Sequence, residues 1–169
     1  FFIGAAPPPW QRDTAEKFNR IFGETFILPE PLIMPEVAVV PGVDGQKMSK
    51  SYGNTIPLFA SREELTKAVM SIVTDSSGGR PENVYAIHKL VRSESELEAL
   101  YRENEGQYKA LKDALIEDLD AFIAPMRERY EALEQEPDEV DAVLFEGAKK
   151  ARERAEAKMA EARKVIGVA

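Results

Sequence analysis

The chain has 169 residues, 44% of them apolar and 31% charged, with a net charge of −8 at neutral pH. That is a globular balance, enough for one ordinary domain or two small lobes, and it argues against disorder and against sequence-blind attraction to nucleic acid. With no cysteine there is neither a disulfide framework nor a zinc–thiolate site, and no apolar run approaches the ~20 residues of a membrane span.

The start, Phe1-Phe2-Ile3-Gly4-Ala5-Ala6, is apolar but has no basic segment and soon meets Pro7-Pro8-Pro9, so it does not read as a signal peptide. It lacks an initiator methionine, as expected of a processed chain or a piece of a longer one. Asp13 to Gly23 predicts a short helix capped by Asp13, with Ala15, Phe18, Ile21 and Phe22 on one apolar stripe. Trp10, just ahead of it, reads as a core anchor. Thr25 to Leu28 and Val37 to Val40 read as short β runs, separated by Pro29-Glu30-Pro31 and Leu32-Ile33-Met34. A helix followed by short apolar strands resembles the end of a parallel α/β sheet, whose carboxyl-end loops are where ligands bind.

Past Ile56 the character turns helical. Ser61-x-x-Glu64 and Ser93-x-x-Glu96 are capping boxes, and the first should open a helix to about Val73. Thr74 to Pro81 predicts a loop and the boundary between lobes. The next helix, Glu82 to Val91, carries the one histidine, His88, among Val84, Ile87 and Leu90, where a packed or surface position is expected. Gln107 to Glu134 is the clearest helix, with Tyr108, Leu111, Leu115, Leu119, Phe122, Met126, Tyr130 and Leu133 at spacings of three and four. Pro125 predicts a kink near Ala121 to Ala124. A last helix, Asp138 to Val165, has a small-residue stripe that predicts close helix packing. From Phe145 onward it holds seven Lys/Arg against four Glu, which suits contact with a nucleic acid or, equally, cations complementing the helix dipole.

Between these halves lies Lys47-Met48-Ser49-Lys50-Ser51, preceded by Pro41-Gly42-Val43-Asp44-Gly45-Gln46 and followed by Tyr52-Gly53-Asn54-Thr55-Ile56. Two ammoniums separated by a small hydroxyl residue and flanked by glycines suit a loop that meets polyphosphate. As a bare pattern it also fits a solvated turn, and Asp44 before Gly45 fits either a loop-orienting or a turn-forming residue.

The wording of this pentapeptide resembles the second signature of class I aminoacyl-tRNA synthetases, in the version of the tryptophanyl-tRNA synthetases. Further stretches share the likeness: Arg12-Asp13, Ala15 to Asn19, Phe26 to Pro31, Val73-Thr74-Asp75, Asn83 to Leu90, Pro125-Met126-Arg127, Glu146 to Arg152 and Val165-Ile166-Gly167. The resemblance implies tryptophan–tRNA ligase activity with ATP and Mg²⁺, tRNA(Trp) and L-tryptophan as partners, a possible homodimer, no membrane, and a cytoplasmic setting. It implies that Lys47 and Lys50 act on the departing pyrophosphate. Val40, Met48, Ser49 and Ser51 would bind the nucleotide with them, Val40 and Met48 on the adenine side. Gly45 and Gly53 would be hinges, and no protein metal ligand is implied.

The two-histidine first signature is absent, as are the acidic residue expected at the indole and the ribose site. The expected fold is therefore an α/β remnant, the end of a Rossmann-type sheet in residues 1–75, followed by an all-α anticodon-binding-type bundle in residues 76–169, mostly helical overall. The alternative is a catalytically inactive tRNA-binding or scaffold module derived from a synthetase.

Overall fold

The structure, a computed structural model, describes residues 9–32, 39–74 and 79–168. Most of them are helical: α1 (Pro9–Phe22), α2 (Arg62–Met70), α3 (Glu82–His88), α4 (Glu94–Glu103), α5 (Tyr108–Glu134) and α6 (Pro137–Ile166), with a 3-10 turn at Lys50–Tyr52. The mostly helical expectation holds. Among the described residues there is no strand, only an antiparallel bridge between Pro41 and Lys47. Of the expected run Val37 to Val40, residues 37 and 38 lie outside the described ones, and Val39 and Val40 are irregular.

The chain divides into two compact units, Phe1–Met34 with Leu133–Ala169, and Pro35–Ala132. The lobe boundary expected at residues 75 and 76 falls in 75–78, outside the described residues.

In the unit Pro35–Ala132, α2 begins as anticipated. The Ser61 hydroxyl accepts from the Glu64 amide while the Glu64 carboxylate accepts from the Ser61 amide, which satisfies two free helix-end donors. The second box is incomplete: Ser93 precedes α4, but its hydroxyl goes to the Glu96 carboxylate rather than to a backbone amide. α2 buries Leu65 and Val69 against Val84 and Ile87 of α3 and Leu115, Leu119 and Ile123 of α5. α5 runs unbroken through Pro125. Its buried face includes the expected Leu111, Leu115 and Leu119 but turns toward Lys112, Ile116 and Ile123, leaving Phe122 55% exposed.

Two polar contacts tie these helices. The Lys112 ammonium donates to Met70 O (2.9 Å) and Ile72 O (2.7 Å), placing a cation on the free carbonyls where α2 ends. Arg62 at the start of α2 pairs with Glu117 and with Asp120 (2.7 Å) on α5, and Arg127 reaches the same Asp120 carboxylate at 2.9 Å.

His88 is fully buried. Its Nε2 lies 2.8 Å from Asp118 Oδ2 and its Nδ1 3.2 Å from the Tyr101 hydroxyl, while Arg92 donates to the same Asp118 oxygen at 2.9 Å. Burial lowers the His88 pKa, and the opposing hydrogen bond to Asp118 does not make up the difference. The ring is therefore neutral, with Nε2–H donating to the carboxylate and Nδ1 accepting from Tyr101. Burial pushes the Asp118 carboxyl up, but hydrogen bonds from His88 and Arg92 outweigh it and hold Asp118 below its ordinary value.

The other unit departs further from expectation. α1 starts before Asp13, and Trp10 in its first turn is 65% exposed, not a core anchor. Thr25 to Leu28 is irregular rather than a strand, because Asn19 takes the backbone bonds a partner strand would take. Its Oδ1 accepts from the amides of Thr25 (3.0 Å) and Phe26 (2.8 Å), and its Nδ2 donates to Phe26 O at 2.6 Å. Phe26 then sits edge-on to Phe18. α6 contributes Lys158, which donates to Thr25 O at 2.9 Å, but Ala162 is its one buried residue among those described. Among the described residues, the close packing expected of its small-residue stripe is confined to Ala162.

The neutral His88 gives a signed pH dependence. Below the ordinary histidine value of 6.5 the unfolded chain takes up a proton that the folded chain refuses. Stability is thus fully present above that value and falls as pH drops. Since His88 is the single histidine, urea unfolding free energy should fall by at most about 1.4 kcal/mol between about pH 7.5 and about pH 5.5. His88→Gln should flatten the dependence, and a flat profile in the unsubstituted chain would contradict a neutral ring.

Candidate functional site

The lysine loop is irregular backbone, so its amides and carbonyls need individual partners. At its base the chain crosses itself: Met48 N donates to Val40 O (2.8 Å), and Gly42 N donates to Gln46 O (2.7 Å), closing a turn in which Gly45 N donates to Gly42 O. Gly45 has φ +80°, and a Cβ there would meet the Asn83 amide nitrogen at 2.7 Å, so both backbone and neighbour demand glycine. Asp44 settles into both anticipated roles at once. Its Oδ1 accepts from Gln46 N at 3.0 Å, as a turn-forming Asp does, and from Asn54 Nδ2 at 2.8 Å.

Asn54 is 2% exposed and closes the loop from the far side. Its Oδ1 accepts from Ser49 N at 2.8 Å, its Nδ2 also donates to Lys47 O at 3.2 Å, and its own carbonyl accepts from Val43 N at 3.0 Å. Gly42 lies so close that a Cβ would stand 2.4 Å from Asn54 Cγ. The loop is in turn sewn to helices. Val73 N, past the end of α2, donates to Val43 O at 2.8 Å, and Asn83 of α3 donates to Val73 O at 3.0 Å.

The six residues singled out in the sequence fall into two groups. Val40 and Met48 are joined through their backbones and together line an apolar cavity of about 190 Å³ with Ile56, Ile87, Leu119 and Ile123. Lys47, Lys50 and Ser51 are exposed and Ser49 half-buried, with the two serine hydroxyls 2.8 Å apart. Among the described residues neither ammonium is ion-paired. Gly53 ends the 3-10 turn that carries Lys50 and Ser51. Such a set can receive a polyanion: cations left free of carboxylates, hydroxyl donors beside them, and an apolar wall adjoining through Met48. Among the described residues no cluster of His, Cys, Asp or Glu could hold a metal ion. Sequence reasoning missed Asn54 and Asn83 as partners of the loop. Their only signal was their place in stretches that share the family likeness, Asn54 just after the pentapeptide and Asn83 at the head of Asn83 to Leu90.

The family model described as tRNA synthetases class I (W and Y) matches residues 10–157. The tryptophan–tRNA ligase of Fusobacterium nucleatum is 42% identical over 166 residues, covering 93% of this chain and 51% of that protein. That of Xylella fastidiosa (strain 9a5c) is 45% identical over 152 residues, covering 85% and 35%. Among solved structures, the tryptophanyl-tRNA synthetase of Campylobacter jejuni complexed with ADP and tryptophan matches with a TM-score of 0.74 at 42% identity, over 92% of this chain and 52% of that one. The chain thus spans about half the length of the first of these ligases and about a third of the second.

The close approach of Gly42 to Asn54 makes a direct prediction. Gly42→Ala should cost about 1–3 kcal/mol in denaturant unfolding, the range for forcing a methyl into filled space. Gly79→Ala, where a Cβ would meet nothing within 4 Å, should cost no more than about 0.5 kcal/mol. Equal costs would mean the loop does not hold Asn54 against Gly42.

Proposed function

The chain belongs to the class I tRNA synthetases of the tryptophan and tyrosine family, and from that premise we propose that it serves a tryptophan–tRNA ligase. In this reading it supplies the loop that meets the phosphates of ATP and the helical part that meets tRNA(Trp). Residues 1–75 would close a Rossmann-type catalytic domain, and residues 76–169 would be of the anticodon-binding type. The whole enzyme would bind L-tryptophan and act in the cytoplasm, as a homodimer. One observation carries the proposal: two ammoniums with no ion pair among the described residues, on an exposed loop whose base is fixed by part-buried hydrogen bonds.

In amino-acid activation the carboxylate attacks the α-phosphorus of ATP and pyrophosphate departs with the negative charge. There is little covalent work for the protein, so positioned cations contribute most. Lys47 and Lys50 take that role, with Lys50 the stronger because it stands on the 3-10 turn beside the paired hydroxyls of Ser49 and Ser51. The serine hydroxyls donate to phosphate oxygens. Val40 and Met48 present backbone and an apolar wall to the adenine side. Mg²⁺ fits as an ion that arrives on the nucleotide's phosphates, where it adds positive charge.

Lys50→Ala in the full-length protein should slow tryptophan-dependent ATP–pyrophosphate exchange by about a hundredfold, close to 3 kcal/mol, the scale of losing one preorganised charge stabiliser. Exchange at the parental rate in this variant would refute the role of Lys50. A full-length protein that shifts tRNA on a gel yet shows no exchange would favour the inactive binding module instead.

A further inference from the structure

We propose that Asn54 is a positioning residue that, together with Asp44, latches the base of the lysine loop and sets where Lys47 and Ser49 stand. The inference rests on the reading of this loop as the polyphosphate loop, and goes beyond it by assigning a role to residues outside the signature pentapeptide.

Three observations carry it. The first is saturation. The Asn54 side chain is buried, and each of its polar atoms is used: Oδ1 for Ser49 N, Nδ2 for Asp44 Oδ1 and Lys47 O. These partners also fix the orientation of the amide, since an amide N–H needs an acceptor and a carbonyl and a carboxylate need donors. The second is reach. One residue grips the incoming limb at Val43 and Asp44 and the pentapeptide at Lys47 and Ser49, so it closes the loop across its neck. The third is steric cost: Gly42 leaves out a side chain at the one place where Cβ would strike Asn54.

The latch divides the pentapeptide. Lys47 O and Ser49 N are held, whereas Lys50 and Ser51 are tied back only through the short turn from Ser49 to Gly53. Breaking the latch should therefore misplace both cations relative to the departing phosphate.

A charge swap tests this. Asn54→Asp sets a carboxylate against Asp44 and removes the donor to Lys47 O. In the double variant Asp44→Asn/Asn54→Asp, the amide at position 44 can donate to the carboxylate at position 54, which relieves the repulsion but leaves Lys47 O without its donor. In the full-length protein, Asn54→Asp should lower kcat for pyrophosphate exchange about tenfold or more, the scale of losing a hydrogen bond to a charged group, with KM for tryptophan unchanged. Native-state tryptic cleavage after Lys47 should rise by a similar factor of about ten, because cleavage tracks the open population. The double variant should recover both in part, since the donor to Lys47 O stays missing. Parental behaviour of Asn54→Asp, or no recovery in the swap, overturns the latch. If the unsubstituted protein shows no exchange, the proposed function falls, and cleavage after Lys47 alone decides the latch.

Discussion

An irregular loop can hold one shape only if its backbone groups find partners away from water, and here those partners come from helices. The joint is Val73. Its amide donates to Val43 O at the base of the loop, and its carbonyl accepts from Asn83 at the start of α3. Lys112 reinforces the same point by taking the carbonyls of Met70 and Ile72 just ahead of it. Val40, Val43 and Ile56 around the lysines also pack against the helices, and the joint adds backbone hydrogen bonds to that packing. With it, the lysine loop inherits the order of a core built from α2, α3 and α5.

The placement of charge follows a consistent division. Within the unit Pro35–Ala132, carboxylates pair with cations: Glu117 and Asp120 with Arg62, Asp120 again with Arg127, Asp118 with His88 and Arg92, and Glu63, Glu94 and Asp113 with Lys67, Lys89 and Lys109. Asp44, the acidic residue in the loop itself, is engaged by an amide side chain. The chain is acidic overall, yet the loop presents its two ammoniums free of carboxylate partners among the described residues. Exposed ion pairs of the Arg62 kind contribute little to stability by themselves. Their larger effect is to keep anionic groups occupied on the helix surfaces.

Much of this was legible in the chain before any coordinates. Helices with a strict period and a cap at the right place, such as α2 with Ser61 and Glu64, emerged where the pattern put them, because burial and capping act locally. The lysine pentapeptide stood out by its wording and Val40 and Met48 were expected on the adenine side, but the backbone hydrogen bond that joins these two was not foreseen. What failed was long-range. The run from Thr25 to Leu28 has the composition of a strand, but a strand needs a neighbour, and Asn19 satisfied the backbone first. The face of α5 turned toward Ile116 and Ile123 because its partners, not its own period, choose which stripe is covered. Asn54 was invisible for another reason. An asparagine after a glycine reads as turn chemistry, and nothing in one sequence says that its amide will meet residues five, seven and ten positions back.

The position of Trp10 carries an optical consequence. It is the only indole in the chain, it is 65% exposed, and it belongs to the unit formed by Phe1–Met34 and Leu133–Ala169, whereas Lys47 and Lys50 belong to the other. Intrinsic emission excited at the indole band therefore monitors α1, in the unit that does not carry the lysines. Tyr52, 68% exposed between Ser51 and Gly53, is the native chromophore placed to follow them.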